Sequence, residues 1–355
     1  MLKTTKMSIV EIEKKLNLSL NKDNDPQDIL FFTGSGISSP DPCAFPLGQE
    51  LHRMLLQYYT DMTNSEINDF LKNDNNAFEK TVSTILNNYG KLDNQNRPYH
   101  LLSDIFIYRA NDSQYKQEND YHKFFRKHIQ KGGKHFTVNL DQFIELDNSA
   151  RIDFFTSSQI NDNSSNHIRN GYLYKIHGDP LNIIGLQGFL FEVIKNGFSA
   201  SIQDFFDTQI NQVKTVVFVG YGGVDKYDIT PYFEKKSNCF FNKTSALWIN
   251  YCKSDQILIS KNLSAAKLAI LSKFNSWLAV DSSPELILNK LFKDGPKIQN
   301  VHRANGYKKE YENFFRVNLV REIFDKSNNL SEEQINELIK VHQKRRSSIR
   351  EQLID

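Results

Sequence analysis

Four short loops hold the residue types that could do chemistry. In "DILFFTGSGISSPDP", Gly34 and Gly36 stand directly behind the apolar run Ile29–Thr33. Glycines there let a backbone approach a pyrophosphate, and a following helix N-terminus favours negative charge. An ordinary tight turn uses the same residues, so both readings stay open. Ser39 occupies the place of a third fingerprint glycine, and no clear acidic residue closes a second strand, so a hydride-transferring Rossmann enzyme fits poorly. Ser35 is a poor nucleophile, because Thr33 stands where a G-x-S-x-G elbow has its first glycine.

"TVNLD" sets Asn139 and Asp141 two apart at a strand end, either as Asx-type turn caps or as two side chains reaching one ligand. "KIHGD" puts His177 between a strand residue and Gly178. Of the nine histidines it is the best placed for a general base. "VGYGGVD" sets Gly220, Gly222, Gly223 and Asp225 behind the strongest strand, Thr215–Val219, again as a loose turn or a ligand loop.

Elements must bring these loops together. Strands are expected at Ile29–Thr33, in "KHFTVNLD", in "GYLYKIHGDP", at Thr215–Val219, in "SALWINY" and in "SWLAVDS". Helical patterns lie between them, including "PLGQELHRMLLQYYTDM", with Pro46 suited to its first turn. Short apolar strands alternating with helices predict an α/β fold, a Rossmann-like parallel sheet with helices on both faces. Ligands gather at the carboxyl ends of such strands, where all four loops fall. The expected organisation is an N-terminal helix in 1–24 and a nucleotide-binding domain over 25–296 with a helical insertion at about 60–132. A helical C-terminal segment for assembly or partner contact follows over 297–355. A polar insertion is read around 148–170, and Ser331 with Glu333 and Gln334 makes an N-cap.

Composition narrows the classes. Lys and Arg number 44 against 42 Asp and Glu, a net charge of +2, which gives no global case for nucleic-acid binding. Three cysteines, Cys43, Cys239 and Cys252, form no C-x-x-C pair and no even disulfide framework. With no apolar run of membrane-spanning length and no signal-peptide pattern, a soluble, cytoplasmic protein without structural metal is expected.

In their order, these motifs resemble the sirtuin-like superfamily. "TGSGIS" is similar to its G-A-G-I-S phosphate loop, "TVNLD" to T-Q-N-I-D, and "KIHGD" to its H-G motif. "VGYGGVD" resembles the G-Y-S-x-x-D of bacterial relatives, "LWIN" the V-I-N strand, and "SPELILNKL" the closing helix. The likeness covers about 25–295. The two zinc-binding C-x-x-C pairs of sirtuin deacylases are absent, and "SPDPCAFPLG" replaces their G-I-P-D-F-R segment. In this the chain resembles the sirtuin-like effectors of bacterial anti-phage systems, which destroy NAD+.

What the resemblance implies is hydrolysis of the nicotinamide–ribose bond of NAD+. Asn139 would orient ribose hydroxyls or water, His177 would act as base, and Asp141 would hold the nicotinamide amide. Backbone groups of Gly34, Ser35, Gly36, Ile37 and Ser38 would hold the pyrophosphate. Gly220, Tyr221, Gly222, Asp225 and Asn250 would line the rest of the dinucleotide site. Such an enzyme needs gating, by homo-oligomerisation or by a partner; the family's partners include HerA-type ring ATPases, Argonaute-like proteins and phage triggers. The rival expectations are an NAD-dependent protein deacylase and a non-catalytic NAD- or nucleotide-sensing module.

Overall fold

The computed structural model describes residues 7–16, 25–40, 43, 45–72, 78–89, 118–145, 152, 154–161, 171–179, 195–223, 225–253, 255–292, 294–297 and 331–354. The chain divides into two compact units, Met1–Phe45 with Phe106–Val301, and Pro46–Ile105 with His302–Asp355.

Eight strands build the first unit: β1 (Ile29–Thr33), β2 (Lys134–Thr137), β3 (Phe154–Thr156), β4 (Tyr172–Lys175), β5 (Thr215–Val219), β6 (Phe241–Tyr251), β7 (Leu258–Ile259) and β8 (Phe274–Ser282). They form one sheet in the order β3-β4-β2-β1-β5-β6-β8-β7. Every pair is parallel except β7 against β8. Thr33 lies level with Thr137 and with Val219, and Thr137 lies level with Lys175. The four chemistry-bearing loops therefore leave the carboxyl edge at one height. From β1 the chain steps outward to β2 and β4, then returns to the other side of β1 as β5. The strand order reverses between β1 and β5, the position at which open α/β sheets bind ligands.

The described helices, in chain order, are α1 (Ile9–Leu16), α2 (Gly48–Tyr59), α3 (Asn64–Lys72), α4 (Phe78–Tyr89), α5 (Asp120–Gln130), α6 (Ser157–Asn161), α7 (Ala200–Asn211), α8 (Ile229–Glu234), α9 (Ala265–Leu271), α10 (Pro284–Leu291) and α11 (Glu332–Ile354). Strand periodicity sends alternate residues to opposite faces. Leu30, Phe32, Phe136, Val216, Phe218 and Trp248 pack under α7, α8 and α9. Ile29, Phe31, Leu173, Val217, Leu247 and Leu278 pack under α1, α5 and α10. Both faces are covered, which is why β1 and β5 read as unbroken apolar runs. Each such side chain contributes roughly 1.5–3 kcal/mol on burial.

Several elements differ from the sequence expectation. α1 is part of the sheet's packing: Ile12 is fully buried, and the Met7 N–H donates to the Ile257 carbonyl at 2.9 Å. α5, expected within the 60–132 insertion, covers the sheet instead, with Phe124 and Phe125 edge-on to Phe31 at 5.5 and 5.1 Å. The region read as a polar insertion around 148–170 contributes the edge strand β3 and the single-turn α6, too short to leave a periodic pattern. β7, two residues long, left no pattern either. Of the helical C-terminal segment expected over 297–355, residues 298–330 lie outside the described residues.

The second unit gathers α2, α3, α4 and α11. Ser331 and Gln334 form the expected reciprocal cap of α11, at 2.8 and 3.3 Å. Rather than projecting as a free appendage, α11 buries Ile349 and Leu353. Its Arg346 Nε donates to the Thr60 carbonyl at the end of α2 at 2.8 Å, and its Gln352 pairs with Asn88 of α4 at 3.0 Å. Among the described residues, no helix is long and apolar enough to cross a membrane.

Candidate active site

At the switch point the loops after β1 and β5 touch. The Gly36 N–H donates to the Gly220 carbonyl at 3.0 Å, and the Gly34 N–H to the Val219 carbonyl at 3.4 Å. A Cβ on Gly36 would lie 2.7 Å from Gly220 Cα, and one on Gly220, whose φ is +64°, would lie 2.7 Å from the Ile37 nitrogen. Only glycine allows this approach. The Ile37 and Ser38 N–H groups close a 3-10 turn on the Gly34 and Ser35 carbonyls, both at 3.1 Å. Four of the five N–H groups expected to hold a pyrophosphate thus serve protein carbonyls, and Ser35 is the exception among the described hydrogen bonds. Nor does an α-helix start behind the turn, since α2 begins only at Gly48. The phosphate-cradle expectation is corrected to this extent: Gly34, Gly36 and Gly220 serve loop packing.

Behind that turn lies a buried polar chain. Ser38 Oγ donates to Asp141 Oδ2 at 2.7 Å, and Asn139 Nδ2 donates to Ser38 Oγ at 3.2 Å. His122 Nε2, from the first turn of α5, lies 3.0 Å from the same oxygen. Asn119, the N-cap of α5, donates from Nδ2 to the Ile37 carbonyl at 2.7 Å. Burial pushes the Asp141 carboxyl up, while the Ser38 hydroxyl and the Lys175 cation pull it back. The other carboxylate oxygen of Asp141 accepts the Phe143 N–H at 3.3 Å, an Asx turn. Both oxygens are engaged, so Asp141 anchors the loop, and a ligand amide would have to share an oxygen that already accepts a hydrogen bond. Beneath it Lys175, fully buried, pairs with Glu145 at 2.5 Å and donates to the Asp141 carbonyl at 3.0 Å.

Asn139 is different. Its N–H is held by Thr137 Oγ1 at 3.1 Å and its Nδ2 by Ser38, yet Oδ1 is buried without a hydrogen-bond partner. The residue is 7% exposed. A buried amide oxygen left unpaired costs about 1–3 kcal/mol, which an incoming hydroxyl or N–H would recover.

His177 follows β4 as Asn139 follows β2, each two residues beyond the paired Thr137 and Lys175. The two residues therefore follow the carboxyl ends of adjacent parallel strands. His177 Nε2 lies 2.7 Å from Asp228 Oδ2 and 3.8 Å from Asp225 Oδ1. Asp228 is held in turn by the Ile229 N–H at the start of α8, at 2.6 Å. Burial first, and the nearby Asp228 charge second, raise Asp225 to about 6. Each of the three offers one atom within 4.8 Å of the others, a set able to hold a divalent cation.

The remaining expected residues divide. Tyr221 packs its ring on Phe32 and Trp248 at 4.8 and 5.5 Å, and its hydroxyl helps to pull the Asp225 carboxyl back down against burial. Gly222 is exposed in the same turn. Asn250 sits farther along the edge, its amide taken by Lys267 at 2.6 Å, Ser260 at 3.0 Å and Asp281 at 3.1 Å. It braces β6 against β8 and so is not free to line a ligand. Sequence reasoning missed Asp228, His122 and Asn119. Asp228 had a legible signal, an acid three residues after Asp225 and directly before a helix; His122 had only the N-cap pattern "NDYH".

No protein-family model matches this chain, and no curated protein matches its sequence.

Proposed function

We propose that the first unit is a sirtuin-like NAD+ glycohydrolase that converts NAD+ and water into nicotinamide, ADP-ribose and a proton. The observation behind this reading is the unpaired, buried Oδ1 of Asn139 beside the strand end that bears His177. Cleaving the nicotinamide–ribose bond needs no general acid, because the leaving group is already cationic. It needs a positioned ribose and an activated water, with an oxocarbenium-like transition state. Asn139 Oδ1 accepts from a ribose hydroxyl or from that water. His177 takes the proton, and Asp228, at 2.7 Å, orients the ring and stabilises the imidazolium. With Asp141 and Asn250 engaged elsewhere, the Ser35 N–H and the exposed turn at Gly222 are what remain for the rest of the dinucleotide.

In the cell such an activity serves best as an NAD-depleting anti-phage effector, silent until an oligomer or partner triggers it. The test is chromatography of NAD+ incubated with wild-type protein, His177→Ala and Asn139→Ala, without any acylated peptide. A general-base or orienting role predicts losses of about 10²–10⁴-fold with folding intact; full turnover by either variant removes that residue from the chemistry. Nicotinamide release without acyl peptide also separates hydrolysis from deacylation.

One observation favours a second reading. The His177, Asp225 and Asp228 set could hold a divalent cation that activates water itself. A chelator separates the two: base catalysis by His177 survives it, and a metal-dependent reaction does not.

A further inference from the structure

The amide of Asn139 can do the proposed work only if its oxygen, not its nitrogen, faces the substrate, and the structure contains a device that decides this. The Asn119 N–H points at His122 Nδ1 at 3.4 Å, and Cys43 Sγ lies 3.5 Å from the same atom. Nδ1 therefore holds a lone pair, and the single proton of the neutral ring sits on Nε2. Burial keeps that ring neutral by pushing its pKa down to about 3, and Phe143 stacks on it with centroids 5.0 Å apart. Nε2–H then donates to Ser38 Oγ at 3.0 Å.

Ser38 has one proton, and it goes to Asp141 at 2.7 Å. Its oxygen can otherwise only accept, and it does so twice, from His122 and from Asn139 Nδ2 at 3.2 Å. A flipped Asn139 would set Oδ1 against the Ser38 lone pairs and toward the Asp141 carboxylate. The Asp141 carboxylate opposes the flip directly, and Ser38 opposes it as long as it cannot rotate its proton toward Asn139, a rotation that the His122 N–H prevents by filling the remaining lone pair.

We infer that His122 is a positioning residue for the hydrolysis proposed above, acting through Ser38 to hold Asn139 with its Oδ1 toward the reacting centre. The inference rests on that functional reading, yet its geometric content can be measured apart from turnover. Replacing His122 with leucine removes the Nε2–H, whereas glutamine can return an N–H to the same place. His122→Leu is expected to lower kcat for nicotinamide release by about 10²-fold with little change in KM, as misplacement of a reacting group does, and His122→Gln to restore most of it. Because His122 works through Ser38, His122→Leu is expected to cost nothing further in a Ser38→Ala background.

The independent readout is the Asn139 side-chain amide in 15N-resolved NMR. It should exchange slowly with solvent in the wild type and His122→Gln, and lose that protection in His122→Leu. A His122→Leu protein with full kcat and a protected Asn139 amide, or losses that add in the double variant, would overturn the inference. A wild type that releases no nicotinamide but shows the expected amide behaviour would instead refute the glycohydrolase reading and leave the positioning chain standing.

Discussion

At the scale of single residues, the proposed chemistry depends on two side chains and the groups that fix them. Asp228→Asn should keep the hydrogen bond to His177 but reverse its polarity, leaving the wrong tautomer; steady-state kinetics should show a kcat loss of about 10²-fold or more with KM nearly unchanged. Asp225, raised to about 6 by burial and by Asp228, faces the same ring nitrogen at 3.8 Å. A pH–rate profile is expected to bend near pH 6, where the raised Asp225 titrates, and Asp225→Asn should remove the bend. Asn139, Asp141, His177 and Asp225 were legible because polar residues at the ends of apolar strands are conspicuous. Their division of labour was not, since it depends on which lone pairs are already taken. His122 could not be read at all: 84 residues separate it from Ser38, and only packing of α5 on the sheet brings them together.

At the scale of elements, glycines and buried histidines give the sharpest expectations. Gly36→Ala would force a Cβ to 2.7 Å from the backbone of Gly220, and Gly220→Ala would add a left-handed residue at φ +64°. Chemical denaturation should show each losing about 2 kcal/mol or more. Gly48→Ala is the control, because its Cβ meets nothing within 4 Å at the first turn of α2, and it should be neutral or slightly stabilising. His122 of α5 is held at about 3 and His128 of the same helix at about 4, both by burial, below the ordinary 6.5. Both folded values are depressed, so the stability they contribute is complete above pH 6.5 and is lost as the pH falls toward 4. Unfolding melts should drop by about 2 kcal/mol for each by about pH 5, and His128→Gln should flatten the slope. The raised Asp225 acts in the opposite sense, weakening the fold as pH rises through about 6. The six strands expected from apolar runs are all present, because burial on both faces makes them continuous. β3 and β7 sit at the edges of the sheet, where three and two residues carry no periodic signal.

At the scale of the whole chain, the sheet and its helix layers were readable, while the grouping of helices was not. Sequence order suggested an insertion and a separate tail. The compact units instead join 46–105 with 302–355, and α11 is tied to α2 and α4 by Arg346, Ile349 and Gln352. Deleting 331–355 is therefore expected to expose protease sites in the second unit by limited digestion, before any effect on assembly measured by sedimentation. An unchanged digestion pattern would argue that α11 is dispensable for that unit. The central claim is that Asn139 and His177, which follow the adjacent strands β2 and β4 at their carboxyl ends, cleave NAD+. Millimolar NAD+ incubated with purified protein, followed by separation of nicotinamide and ADP-ribose, tests it most directly. Equal amounts of both products from the wild type, and about 10²-fold less or none from Asn139→Ala and His177→Ala, are the expected result. Intact NAD+ after prolonged incubation with the wild type, or equal cleavage by all three proteins, would contradict it.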